Sequence, residues 1–385
     1  MTIRSILLAA ATLAFGAGVA LCPHPAHAAD FTTSAGYSET CGEMKQIATP
    51  AQLHTDDARV AFVICRDTEL VQQIITWATQ GMKRFQGEQP SNALIVGEVF
   101  KEIDYARAQL AQSRGVLENI HLGTRKSLRL VPAQWAMDLD GDGKISIWEK
   151  YFFAIPKRSR QAFNPAMPSD EQGHYDSEYQ LDAAVKVDQS DVLWALSYHY
   201  FIEGVLANVR AFDLGPNDEI RLAHPEYLKL AHQLIGRGIS TSEKMRKSVL
   251  AETGNDEEWI GNPSQTSSVF PIALEAQDFV TWGTILDEWN ALWQGRHLLP
   301  VARGGGLLGE LNLCKPGTGL DIKKLYLQPP AGLTIFPTAD KTQTFSAQCR
   351  KVDRNHPMSS LPDMISHARD RDTGMQFLRY IYWTN

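Results

Sequence analysis

Apolar residues recur at three- and four-residue intervals along most of the chain, the spacing that gathers them on one face of an α-helix. From Asp67 to Phe85 they fall at Leu70, Val71, Ile74, Ile75, Ala78, Met82 and Phe85, and Gly87 and Pro90 close the run. From Ser91 to about Ile120 they fall at Ile95, Val96, Val99, Phe100, Ile103, Ala106 and Leu110. These two runs predict an antiparallel helix pair joined by a short polar turn. Further helices are expected from Asp188 to Phe212, with Asp188 or Ser190 as N-cap, and from His224 to Ile235. The capping box Ser240-Thr241-Ser242-Glu243 predicts another helix to about Thr253, and Ile272 to Gln294 predicts a long one. Residues 30 to 64 mix polar and apolar positions without a clear period.

After Pro300 the pattern breaks. Gly304-Gly305-Gly306, Pro316-Gly317, Gly319, Pro329-Pro330 and Pro337 punctuate short apolar pieces such as Leu325 to Leu327 and Leu333 to Phe336. These read as loops and short strands, and Met375 to Trp383 as a short closing helix. The expected fold is therefore mainly α: a helical domain over residues 29–300, then a Gly/Pro-rich region of loops and short strands over 301–385.

Residues 1–28 stand outside this pattern. A basic head ending at Arg4, an apolar run from Ile6 to Leu21 and the exit Ala26-His27-Ala28 predict a signal peptide cleaved after Ala28. Its removal leaves 357 of 385 residues and takes away only Arg4, so the formal charge moves from −7 to −8. That acidic balance argues against nucleic acid as a partner. With 44% hydrophobic residues and nine Trp, there is material for a sizeable core. No later stretch reaches the length of a membrane span; the nearest, Val192 to Phe212, contains His199, Glu203, Asn208 and Arg210. Four cysteines remain after Cys22 is removed. In an exported chain they predict two disulfides, and locality favours Cys41–Cys65 with Cys314–Cys349. The expected location is the periplasm or the exterior.

One segment carries specific chemistry. Residues 138–149 read Asp-Leu-Asp-Gly-Asp-Gly-Lys-Ile-Ser-Ile-Trp-Glu. Ca²⁺ is a hard cation that takes about six to eight oxygen ligands. Asp138, Asp140 and Asp142, at loop positions one, three and five, each offer a carboxylate oxygen, and Gly143 takes the sharp bend. Lys144 offers its backbone carbonyl, Ser146 a water or its hydroxyl, and Glu149 two oxygens at position twelve. Without a cation, three aspartates at alternate positions repel one another. The segment resembles an EF-hand of the EF-hand calcium-binding proteins, over roughly Pro132 to Ile155 and no further. The resemblance implies a short entering helix from Pro132, with Trp135 and Met137 as apolar contacts. It also implies an exiting helix that carries Trp148, Tyr151, Phe152 and Phe153 and stops at Pro156. EF-hands usually pair, with Ile145 reaching across. The best second stretch, Asp213 to His224, has Gly215 at position three, Pro216 inside and no acid at position twelve. A lone loop is expected to act as a structural calcium clamp, since sensors open a paired unit.

Weaker signals are mostly structural. Gly304 to Gly309 satisfies G-x-G-x-x-G without the strand and helix a dinucleotide site needs. His199 and Glu203 share a helix face and could exchange a proton. His224, Glu226 and His232 show no zinc spacing, and Trp282, Trp289 and Trp293 form one helical stripe suited to a core. The expected function is an exported, calcium-binding helical protein that acts by binding, with calcium and another protein as partners. The alternative is an exported calcium-stabilised enzyme such as a hydrolase, for which a pocket uniting acids or histidines around His199 would speak.

Overall fold

Helix-forming periodicity governs the chain, as the computed structural model shows over residues 28–84, 91–157, 171–215, 219–300, 314–335 and 346–367. Among these described residues the fold is mainly α, with ten helices: α1 (Ser34–Met44), α2 (Asp56–Arg84), α3 (Asn92–Leu117), α4 (Ile147–Lys150), α5 (Gln172–Glu178), α6 (Gln189–Arg210), α7 (Pro225–Ala251), α8 (Ala276–Trp293), α9 (Ile322–Leu327) and α10 (Leu361–His367). The strands are two or three residues long: β1 (Arg129–Leu130), β2 (Ile155–Pro156), β3 (Tyr179–Gln180), β4 (Val185–Lys186), β5 (Phe212–Leu214), β6 (Ile220–Leu222), β7 (Thr318–Leu320), β8 (Thr334–Ile335) and β9 (Cys349–Lys351). They pair antiparallel as β1–β4, β2–β3, β5–β6–β8 and β7–β9. The expected signal peptide up to residue 27, Gly304 to Gly309 and the expected closing helix at Met375 to Trp383 lie outside the described residues.

Side chains that satisfy the first free N–H groups set where the helices begin. Ser91 accepts from the Leu94 amide at the start of α3, and Asp188 accepts from the Ser190 and Asp191 amides at the start of α6. Three expectations needed correction. The stretch from residue 30 to 64, read as aperiodic, holds α1 and the opening of α2. The capping box at Ser240 opens nothing: α7 runs through it unbroken, and the Ser240 hydroxyl donates back to the Gly236 carbonyl 3.1 Å away. Leu325 to Leu327 is helical rather than strand or loop, because Asp321 caps α9 by accepting from the Lys324 amide.

The core follows the long helices. α6 and α7 pack along one another, α3 lies on α6, α2 on α3, and α8 on α7. The α6–α7 crossing is close because it is made at glycines. A Cβ on Gly204 would sit 2.7 Å from the Ile235 side chain, and one on Gly238 would sit 2.8 Å from Phe201. One buried cluster joins Phe31, Tyr37, Phe62, Ile120, Trp135 and Val192; another joins Ile239, Met245, Phe270, Trp282, Leu286 and Trp293. The Trp stripe of α8 is core, as expected, with Trp289 stacked on Phe201.

Both expected disulfides are present. Cys41–Cys65 ties α1 to α2 with Cα atoms 5.2 Å apart, and Cys314–Cys349 closes the C-terminal region at 5.7 Å. Such bonds belong to an oxidising compartment. Among the described residues no helix is long and apolar enough to cross a membrane.

Candidate metal centre

The stretch 138–149 is held by its own backbone amides. Asp138 Oδ1 accepts from Gly141 N at 2.8 Å and Asp142 N at 3.2 Å, and its Oδ2 accepts from Gly143 N at 2.9 Å. Asp140 accepts from Asp142 N and Asp142 from Lys144 N, at 3.0 and 2.8 Å. These turns require left-handed backbone at Gly141 (φ +74°) and Gly143 (φ +86°), where a side chain would be strained.

Glu149 closes the loop. Its Oε1 accepts from Leu139 N at 2.7 Å and Asp140 N at 3.1 Å. Its Oε2 accepts from Ser146 N at 2.8 Å and Ser146 Oγ at 2.7 Å. The side chain is only 1% exposed. Burial pushes its carboxyl up, but the hydrogen bonds from Ser146, Asp140 and Leu139 outweigh burial and hold it below its ordinary value. Glu149 is thus a buried anion. No basic side chain among the described residues forms an ion pair with Asp138, Asp140, Asp142 or Glu149. Oxygens of Asp138, Asp140 and Glu149 lie within 4.8 Å of one another, a spacing that suits a shared cation. Asp142 is not part of that group, Lys144 is exposed, and the Ser146 hydroxyl turns toward Glu149.

The flanks differ from two full helices. Before the loop stands only a 3₁₀ turn, Pro132–Gln134, and after it the single turn α4, with Tyr151 to Phe153 beyond its end. The reason is that Trp135 goes into the main core: it stacks on Tyr37 at 5.7 Å and donates to the Phe31 carbonyl at 3.1 Å. Tyr151 is likewise drawn to Tyr175 of α5, 5.0 Å away. Helix α2 supplies the missing support from elsewhere in the chain. Gln72 Nε2 donates to the Asp138 carbonyl at 2.5 Å, and Thr76 Oγ1 donates to the Leu139 carbonyl at 2.8 Å. These residues lie about two and three helical turns along from Cys65, so the disulfide, α2 and the loop form one continuous support.

A second acidic group was not foreseen, because its members are far apart in sequence. Asp188, Glu252 and Glu258 have carboxylate oxygens within 4.8 Å of one another. Glu258 is paired with Lys126 at 2.6 Å. Burial and the charge of Asp188 push Glu252 up to about 7, against its hydrogen bond with Ser190. Burial and the charge of Asp188 also raise Asp191 well above its ordinary value. The Lys126 ammonium offsets part of the repulsion here. The sequence disclosed only the capping role of Asp188.

His199 and Glu203 face the same way but serve different partners. His199 Nδ1 lies 2.7 Å from the Ala195 carbonyl, and its Nε2 lies 3.1 Å from Asp67 Oδ2. Ser113 Oγ donates to Asp67 at 2.8 Å, and Glu203 accepts from Arg114 Nε at 2.7 Å. Burial works against the imidazolium, but the Asp67 carboxylate outweighs it and raises His199 above its ordinary value. Asp213 and His224 are not a second loop: Asp213 sits in β5 and pairs with His224 at 3.2 Å. Glu226 reaches the other nitrogen of His224 at 3.5 Å, while His232 stacks on Trp293. No family model, no curated protein and no solved structure matches this chain.

Proposed function

We propose that this is an exported protein, periplasmic or secreted, whose helical body is a binding scaffold clamped by one calcium ion at the EF-hand-like loop 138–149. The observation that carries the reading is Glu149, a buried carboxylate held below its ordinary pKa within 4.8 Å of Asp138 and Asp140 oxygens, with no basic side chain paired to it among the described residues. Buried charges are normally paired or bound to a metal. The donors are all oxygen, which fits a hard divalent cation better than zinc or copper. Asp138, Asp140 and Glu149 would hold the ion, with Asp142, the Lys144 carbonyl and Ser146 completing the shell. The ion would supply positive charge to an acidic loop; the chain's own part is to orient the carboxylates through the glycine turns and through Gln72 and Thr76.

A clamp is favoured over a sensor. Ile145 is 52% exposed, and the flanking turns are fixed to the core through Trp135 and Tyr151. Binding is favoured over catalysis at His199. Both its nitrogens face acceptors, so neither offers a lone pair to abstract a proton, and the Ser113 hydroxyl is committed to Asp67. Titration calorimetry on the full chain, with calcium and then magnesium, tests the proposal. One calcium per chain is expected, with weaker magnesium binding; no heat at millimolar calcium rejects it.

A further inference from the structure

Between α2, α3 and α6 lies a cavity of about 520 Å³, within the range of small-molecule sites. Its walls are almost wholly apolar, with Leu70, Ile74, Trp77, Ile103, Trp194 and Ile202 prominent. Its mouth is apolar too: Ile74 is 42% and Ile202 44% exposed, and Val205 and Val209 continue the stripe along α6. Exposed apolar surface joined to a cavity costs solubility and marks a binding site.

The polar groups in the wall say what the occupant carries. Among the described residues, the ionisable acid and histidine side chains that line the cavity are Asp67, Glu102 and His199. His199 Nε2 lies 3.2 Å from Asp67 Oδ1 and 3.1 Å from Asp67 Oδ2, and Ser113 Oγ donates to Asp67 Oδ1. Glu102 is different. Its Oε2 is buried and has no hydrogen-bond donor among the described residues. A carboxylate oxygen left in an apolar wall without a donor is costly, and the cheapest remedy is a donor that arrives with the ligand. With histidine counted neutral, as in the formal charge of the chain, the two acids give the wall a formal charge of −2.

We propose that this cavity binds a small amphiphile with an apolar body and a cationic, N–H-bearing head, the head donating to Glu102 Oε2. This names the ligand class of the binding scaffold proposed above and rests on that reading, but it does not depend on the calcium loop. A fatty acid is the wrong match, because its head would bring a second anion against Glu102.

The test uses the full-length mature protein with calcium present. N-phenyl-1-naphthylamine, a neutral apolar fluorophore, reports occupancy, and dodecylammonium, dodecanoate and dodecanol compete for it below their micellar concentrations. The amine should displace the probe at a concentration about tenfold lower than either competitor, the discrimination expected of one desolvated charge-assisted hydrogen bond. Glu102→Gln should erase that preference while the fluorophore still binds, and Glu102→Asp should restore part of it. Equal displacement by amine and carboxylate in the wild type overturns the proposal. So does a preference that survives Glu102→Gln. Absence of fluorophore binding in protein that still takes up calcium overturns the ligand site alone. Binding to phosphatidylcholine vesicles without displacement by any monomeric amphiphile would assign the apolar face to a membrane surface instead.

Discussion

Replacing Glu149 by Gln removes one charge and almost no volume, so its cost can be worked out from the hydrogen bonds. The carboxylate accepts four, from Leu139 N, Asp140 N, Ser146 N and Ser146 Oγ. A carboxamide has one accepting oxygen. If that oxygen stays with Leu139 and Asp140, the amide nitrogen faces Ser146. The Ser146 hydroxyl can rotate to accept from it, but the Ser146 N–H cannot. One backbone donor in a nearly dry site is therefore orphaned, at about 1–3 kcal/mol. This loss should appear in chelator, before any metal is added. With calcium at a hundredfold excess over its dissociation constant, the wild type should gain a further ~2.7 kcal/mol that the variant largely lacks. Urea unfolding followed by Trp fluorescence, in chelator and in calcium, separates the two contributions. A variant as stable as wild type in chelator would show that the four bonds to Glu149 are wrongly drawn. A variant that gains as much from calcium as wild type would show that Glu149 does not hold the ion.

Three further outcomes are expected. Thr76→Val leaves the carbonyl of fully buried Leu139 without its donor; it should cost about 1–3 kcal/mol in denaturation and, as a support of the loop, weaken calcium binding by about tenfold in calorimetry. Cys41→Ala with Cys65→Ala opens a bridge between positions 24 apart in sequence and should cost about 3 kcal/mol in the same denaturation assay. For pH dependence in chelator, two of the raised groups, Glu252 and His199, act in the same direction but in different windows. The folded pKa of Glu252 is about 7 against an ordinary 4.5, so the folded state holds a proton that the unfolded state has released, and stability falls as pH rises from 4.5 to 7. The drop is at most about 3 kcal/mol, and less to the extent that solvent screens a half-buried group. His199 is raised above 6.5, so its contribution is present below that value and is lost as pH rises through its folded pKa. Glu252→Gln should flatten the lower window and His199→Gln the upper one; a slope unchanged by Glu252→Gln would refute the assignment.

What could be read in advance depended on whether the determining interactions were local. The cap at Asp188 and the helices that begin near Ser91 and Asp188 are decided locally, and they were legible. So was the sharp bend at Gly143 within the stretch 138–149, which takes left-handed backbone. The disulfides followed from counting and locality. The misses have tertiary causes. α7 continues through Ser240 to Glu243 because Thr241 and Ser242 are buried against neighbouring helices, which overrides a capping signal that would start a helix in isolation. The flanks of the loop shrank to single turns because Trp135 and Tyr151 were claimed by the core, and their replacement by Gln72 and Thr76 lies more than sixty positions away. The grouping of Asp188, Glu252 and Glu258, like the cavity beside Glu102, exists only once three helices and a loop have met.

The bonds from α2 to the loop have a consequence for the order of events when the chain folds. Gln72 and Asp138 are separated by 66 positions, and the whole of α3 lies between them. The support of the loop is therefore complete only once a distant helix has arrived. A contact that forms late lowers the free energy of the native state without lowering the folding barrier. On the proposed reading, calcium should leave the refolding rate of the oxidised chain nearly unchanged and slow its unfolding. The ion would then work as a latch whose effect is measured in lifetime rather than in speed of assembly. That property suits a protein outside the cytoplasm, where a molecule that opens has little chance of being rescued.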